Sequence, residues 1–377
     1  MMLTDIPTPA ALIDETRMKD NIARMQAHMT ALGVRLRPHV KTAKCIEVAR
    51  RQQAEGASGI TVSTLKEAEQ FFAAGFDDIL YAACITPNKI DRALALRRRG
   101  CRLTVIVDSI AAAEALAARG QAEQHAFDVM IEVDTDGHRS GVKPDDALLI
   151  GIAGTLHQGG AVVKGVMTHA GSSYDLNTHE ALARLAEQER SLIVEAAARL
   201  RSAGLPCPEV SVGSTPTALC ARDLSDVTEV RAGVYVFFDL VMSNVGVCTP
   251  HEIALSVLTT VIGHQTEKGW VIVDAGWMAM SRDRGTARHG IDYSYGAICG
   301  QDGRSLDDYI MTAANQEHGI VCRRDGQADP DIAQRFPIGS LLRVLPNHAC
   351  ATGAQFSAYQ LIDGERAVAT WERFDGW

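Results

Sequence analysis

The chain has 377 residues, 46% of them hydrophobic and 22% charged, and its 46 acidic against 37 basic side chains give a net charge of −9. These are the proportions of a soluble globular protein large enough for two domains, and the acidity argues against a nucleic-acid partner, which calls for a basic face. No apolar run reaches the roughly 20 residues that span a bilayer. No signal-like segment opens the chain, and nine scattered cysteines fit a reducing cytoplasm better than a disulfide framework.

TPAALID (8–14) reads as a strand that leads into a helix over DETRMKDNIARMQAHMTALG. From about residue 30 to 240, short β-branched runs alternate with alanine- and leucine-rich segments of helical period. Strands are expected at RLRPHVK (35–41), GITVS (59–63), DILYAA (78–83), RLTVIVDS (102–109), FDVMIEVDT (127–135), VVKGVMTHA (162–170), PEVSVG (208–213) and EVRAGVYV (229–236). Several intervening helices close on Gly75, Gly100, Gly120 or Gly204, the residue type that most readily takes the left-handed cap. Eight strand–helix units predict an α/β fold, a (β/α)8 TIM barrel over residues 13–244. Beyond it, EIALSVLTTVIG, GWVIVDAG, GSLLRVLPN and AVATWERF alternate like antiparallel strands. Residues 1–12 plus 245–377 are therefore expected to form a C-terminal β domain that the first strand joins.

A barrel gathers its chemistry at the C-terminal ends of its strands. Lys41 ends the first strand, where Arg35, Arg37, His39 and Lys41 alternate and share one face. An amine desolvated beside Arg37 and His39 has a depressed pKa, which Schiff-base formation with a carbonyl or with pyridoxal phosphate requires. A solvated lysine at a strand end is the plainer reading. GSTPTA (213–218) follows strand seven: Gly213 permits close approach, and the amides of Ser214 and Thr215 can face an anion. Gly233, in RAGVY, offers a second glycine amide after strand eight, and these two loops are where barrels commonly hold phosphate. Either is equally a simple turn. In PNHACATG (346–353), His348 and Cys350 lie two apart and supply imidazole and thiolate, good zinc ligands, although a buried cysteine beside a polar histidine has the same spacing. Glu317 beside His318, and the arginines Arg282, Arg284 and Arg288, are further candidates for a base and for binding anions; solvated loops explain them equally well.

The ordered segments TPAALID, RPHVKTAK, DTDGHRSGV, GSTPTA and NHACATG resemble fold-type III pyridoxal-phosphate enzymes, relatives of alanine racemase, and within them the D-serine dehydratase and D-threonine aldolase branch. The resemblance runs over nearly the whole chain. It implies a barrel followed by a β domain, usually in a head-to-tail homodimer. It assigns pyridoxal 5'-phosphate to Lys41, with His39 beside it, Arg139 near the ring oxygen, and His169 and Tyr174 facing the pyridine ring, Tyr174 as partner of the ring nitrogen. Gly213, Ser214, Thr215, Gly233 and Tyr235 become the phosphate cradle, over a cationic floor made by the first strand, with Arg35 deepest. His348 and Cys350 become ligands of a divalent metal ion: zinc, manganese, cobalt or magnesium. Aldolases of this branch carry H-x-D there and dehydratases H-x-C, so the resemblance implies dehydration of a small D-3-hydroxy amino acid to a 2-oxo acid and ammonia. Its rivals are D-threonine aldolase cleavage, racemisation and a non-catalytic carrier of the cofactor, the last disfavoured by roughly 130 additional C-terminal residues.

Overall fold

The computed structural model describes residues Met1–Trp377. It divides into two compact units, Met1–Ala23 with Val234–Asp375, and Arg24–Gly233 with Gly376–Trp377. After β1 (Ala10–Asp14), the second unit holds eight parallel strands: β2 (Arg35–Leu36), β3 (Ile60–Val62), β4 (Asp78–Cys84), β5 (Arg102–Val107), β6 (Asp128–Glu132), β7 (Val162–Met167), β8 (Glu209–Val212) and β9 (Glu229–Val230). Their order is β2-β9-β8-β7-β6-β5-β4-β3. Beyond β2 the chain pairs with β3 through the His39–Thr61 bridge, Thr61 N–H donating to Pro38 O (2.8 Å) and Val40 N–H to Thr61 O (2.9 Å), which closes the barrel. Valine- and isoleucine-rich runs buried on both faces are what a helix-covered parallel sheet demands. The helices start where short polar side chains cap them: Thr64 accepts from Glu67 N–H and Thr178 from Ala181 N–H.

The first strand is shorter than expected, since Pro38 has no N–H to give. Its odd residues still follow β9, with Arg37 N–H donating to Val230 O (2.9 Å) and His39 N–H to Ala232 O (2.8 Å). The cationic floor is not present. Arg35 is exposed at the lower rim, not deep, and pairs with Glu209. Buried Arg37 donates to Glu229 Oε2 (2.8 Å) and Asp78 Oδ1 (2.8 Å). Burial alone would lower its pKa; Glu229 and Asp78 more than offset that and raise it. Arg35, Arg37, Asp78, Asp128, Lys164 and Glu229 line a cavity of about 220 Å³ at the N-terminal ends of the strands, away from where barrels bind substrate. The alternating cations answer carboxylates of this chain.

The other unit holds β10 (Leu255–Gln265), β11 (Trp270–Val273), β12 (Ala297–Gly300), β13 (Ser305–Ala314), β14 (Gly319–Arg323), β15 (Leu341–Leu345), β16 (Ala358–Asp363) and β17 (Arg366–Glu372). Long β10 pairs with both β11 and β15, so β10-β11-β14-β13-β12-β15 closes into an antiparallel ring around Val257, Val261, Val273, Met311, Val321 and Val344. β1 lies antiparallel to β10 and parallel to β16, the one parallel pairing in this sheet. Ala254 N–H donates to Phe237 O (2.7 Å) and Leu240 N–H to Pro346 O (3.1 Å). These bonds hold the segment after Gly233 in the β unit, so residues 13–23 and 234–244 group with the β strands and not with the barrel. No helix is long and apolar enough to cross a membrane.

Arg37→Leu leaves the Glu229 carboxylate buried without its cation, and should cost roughly 3–5 kcal/mol in urea unfolding. Arg35→Ala, at an exposed pair, should cost under about 1 kcal/mol. Equal costs would show that the buried pairing does not hold the barrel together.

Candidate active site

At the C-terminal ends of the strands, the turn after the His39 bridge carries Lys41, and β7 leads into His169. Arg231 follows β9, its Nε donating to Ser211 Oγ (2.9 Å) and its Nη2 to Thr168 O. Burial, then Lys41 and Arg231, then His169, push the His39 pKa well below that of an ordinary histidine. Burial, then Lys41 and Arg139, bring His169 down to about 3 against its bond to Gly213 O. Both rings are therefore neutral near pH 7. His169 Nδ1 lies 2.6 Å from Gly213 O, and a carbonyl only accepts, so Nδ1 carries the proton and Nε2 the lone pair. His39 Nδ1 is buried with no hydrogen-bond partner. An orphaned imidazole nitrogen beside a lysine and a buried arginine suits an anionic heteroaromatic aldehyde, and pyridoxal phosphate fits these residues.

Lys41 is exposed rather than desolvated. Its neighbours, not burial, set its surroundings. The Tyr174 ring lies 6.3 Å from that of His169, tilted by 44°. Arg139 is exposed on the loop after β6, its Nη2 3.8 Å from Glu132 Oε1. The two glycine loops are built more for packing than the sequence suggests. Gly213 has φ +145°, and a Cβ there would overlap the Arg231 carbonyl oxygen. Its N–H donates to Glu189 Oε1 (3.0 Å), and Ser214 N–H to Thr217 Oγ1 (3.2 Å) in a capping box that opens the helix Thr215–Cys220, so both amides already have acceptors within the chain. A Cβ at Gly233 would come within 2.9 Å of His39 O. Tyr235 is fully buried and groups with the β unit, not with Gly233.

Within that β unit, His348 N-caps the helix Ala349–Gly353 and meets Cys350 across its first turn. His348 Nδ1 lies 2.6 Å from Asp283 Oδ2. Burial opposes a charge on His348, but Cys350, Asp283 and Asp239 overcome it and push its pKa up to about 11. A donor set that holds a proton so firmly favours a cation, and with Nδ1 turned to a carboxylate, Nε2 and the Cys350 sulfur remain to bind a metal. Asp283, whose pKa is lowered chiefly by His348, is the residue missed by sequence reading. It lies inside SRDRGTARHG, among the arginines that drew attention. It follows Ser281, whose φ of +71° and ψ of 169° are a conformation otherwise left to glycine. Arg282 packs over the Trp277 ring at 4.2 Å and Arg284 pairs with Asp292 at 2.9 Å, so both have local partners. Glu317 and His318 are exposed at the β13–β14 hairpin tip and do not join His348. The barrel separately brings Cys84, Asp108 and Glu132 together, with ligand atoms within 4.8 Å of one another.

Residues 13–241 match the family model for the alanine racemase N-terminal domain, and residues 254–362 the model for a putative serine dehydratase domain. The chain is 65% identical over 376 residues to D-threo-3-hydroxyaspartate dehydratase of Delftia sp. strain HT23, covering 100% of this chain and 99% of that protein. The solved structure of the Delftia protein superposes with a TM-score of 0.99 at 65% identity over the full length of both chains. A cysteine-to-alanine variant of a D-threo-3-hydroxyaspartate dehydratase, solved in its metal-free form, gives a TM-score of 0.99 at 64% identity, again over 100% of both chains. D-threonine aldolase of Arthrobacter is 32% identical over 360 residues, 93% of this chain and 87% of that one.

Two outcomes follow from this geometry. Because His39 and His169 are neutral in the fold but take up protons when unfolded, each should make stability fall by about 1.4 kcal/mol per pH unit as pH drops below about 6.5. The melting temperature should therefore fall less between pH 7 and 5.5 in His169→Gln than in wild type; equal slopes would mean that His169 is not buried neutral. Asp283→Asn should weaken divalent-metal binding about 10- to 100-fold by calorimetry; unchanged affinity would mean that Asp283 does not orient His348.

Proposed function

Since the chain belongs to the alanine-racemase-like, fold-type III family of pyridoxal-phosphate enzymes, we propose that it converts D-threo-3-hydroxyaspartate to oxaloacetate and ammonia. It is a lyase of that family, a dehydratase of a D-3-hydroxy amino acid. The particular substrate is carried by the 65% identity to the Delftia enzyme over nearly the whole of both chains.

Pyridoxal phosphate bound at the barrel mouth supplies an electron sink for the bond broken at Cα. Lys41 is the amine that would hold the cofactor through its aldehyde and, once free, would take the substrate's Cα proton as general base. His169, neutral and fixed through Nδ1, presents its ring face and Nε2 without adding charge. His39 Nδ1 offers a hydrogen bond in the same mouth, and Arg231 and Arg139 add positive charge that would suit an anionic cofactor. Tyr174 flanks His169 as the candidate partner of the ring nitrogen. Thr215 and Gly233 are the members of the phosphate cradle that this reading retains, with Ser214 and Gly213 shaping the loop and Tyr235 closing the segment that follows. His348 Nε2 and Cys350 Sγ would hold a divalent ion, which would supply Lewis acidity for departure of the β-hydroxyl, and a thiolate ligand favours zinc among the four metals. Loss of water followed by hydrolysis of the enamine releases ammonia and leaves the four carbons as oxaloacetate. Nine free thiols support a reducing, cytoplasmic location, and the family resemblance supports a homodimer.

Incubation with D-threo-3-hydroxyaspartate should release ammonia and oxaloacetate in equal amounts. A chelator should abolish release, added zinc or manganese should restore it, and Lys41→Ala should lower it by at least about 10³-fold. Formation of glycine and glyoxylate from the same substrate would replace this assignment with aldol cleavage.

A further inference from the structure

The helix His179–Ser202 packs outside the barrel, yet from its middle Glu189 reaches inward and is buried. Its Oε1 accepts from Ala170 N–H (3.1 Å), in the loop after β7, and from Gly213 N–H (3.0 Å), in the loop after β8. The Thr217 side chain also hydrogen-bonds to the carboxylate, and Arg231 attracts it. Burial pushes this carboxyl's pKa up, and each of these partners works the other way. One oxygen thus ties together two loops that share no strand pairing at this level.

Those loops carry both ends of the bond that fixes His169. Ala170 is its chain neighbour, and Gly213 supplies the carbonyl that accepts from Nδ1. The circuit runs from Glu189 to Ala170, His169, the Gly213 carbonyl, the Gly213 amide and back to Glu189. Without the carboxylate, two buried amides lose their acceptor; the loops keep the Ser173–Ser214 hydroxyl contact (2.9 Å) but lose the tie that sets the Gly213 carbonyl, and the imidazole then has no fixed acceptor for Nδ1. We propose that Glu189 is a positioning residue that sets the orientation and tautomer of His169 by holding the loops after β7 and β8 at a fixed separation. Its importance to catalysis rests on the reading above that His169 faces the cofactor; its effect on the tautomer does not.

The test uses holoenzyme labelled with ¹⁵N-histidine, with the His169 signals assigned by their absence in His169→Ala. Wild type should show His169 protonated at Nδ1 alone. Glu189→Met, which keeps the volume and removes both acceptor oxygens without burying a charge, should show both tautomers; Glu189→Leu is the second such variant, and melting temperatures confirm that each is folded. Glu189→Gln, which keeps an oxygen at the same place, should restore the single tautomer. With substrate, Glu189→Met should lower kcat by about 10²-fold, and the double variant Glu189→Met/His169→Ala should be no slower than His169→Ala, because both changes remove one device. A fixed tautomer in the folded Met and Leu variants, or losses that multiply, would overturn the proposal. If His169→Ala leaves kcat and cofactor retention unchanged while the tautomer still follows Glu189, the positioning stands and the reading of His169 as a cofactor contact falls.

Discussion

The barrel has a charged interior, and charge inside protein is tolerated only when it alternates. From the lower rim upward, Asp78 faces Arg37, Arg37 faces Glu229, the Ser211 hydroxyl donates to Glu229 (2.9 Å), and the same oxygen accepts from Arg231 (2.9 Å). Ser211 is the hinge of this relay: a hydroxyl both donates and accepts, so it joins a carboxylate to a guanidinium without adding charge. Removing Arg37 leaves the buried Glu229 without its closest cation, which costs more than the pair itself contributes.

The relay ends at the mouth with Arg231, whose guanidinium finds only Ser211 and a backbone carbonyl at hydrogen-bonding distance, with no carboxylate in direct contact. Burial keeps His39 and His169 neutral, helped by Lys41 and Arg231 at His39 and by Lys41 and Arg139, with Arg231 last, at His169. A mouth of this kind has surplus cations and two uncharged imidazoles. An anionic cofactor supplies the missing negative charge, and neutral rings beside it neither compete for that charge nor titrate in the working range.

The rhythm of the barrel was legible because buried parallel strands are short apolar runs, and strand ends pointed to Lys41, Arg139, His169 and the glycine loops. What could not be read were partnerships across long separations. Arg35 and Arg37 looked like an anion floor because Glu229, 192 residues on from Arg37, cannot be seen from their own segment. Glu189 sits in a helix rich in charge, where a buried glutamate and a solvated one have the same local spelling. Asp283 was overlooked among three arginines, although it is the group that meets His348. Gly213 was legible as a point of close approach, but not what approaches it: the Arg231 carbonyl lies against it, and its amide already has an acceptor.

The same accounting bears on the metal pair. Two carboxylates lie near His348, and every oxygen of both already has a partner within this unit. Asp239 uses Oδ1 on Met242 N–H and Oδ2 on Ala349 N–H, which pins the start of the helix that carries Cys350. Asp283 uses Oδ1 on Gly285 N–H and Oδ2 on His348. The candidate ligands left in this segment are the His348 imidazole nitrogen and the Cys350 sulfur. A four-coordinate ion held by two protein ligands keeps two positions for oxygen, whereas a structural zinc site closes all four. An ion held by these two ligands would keep positions open to a substrate hydroxyl and would supply Lewis acidity there, while the two carboxylates orient the imidazole and the helix that carries Cys350.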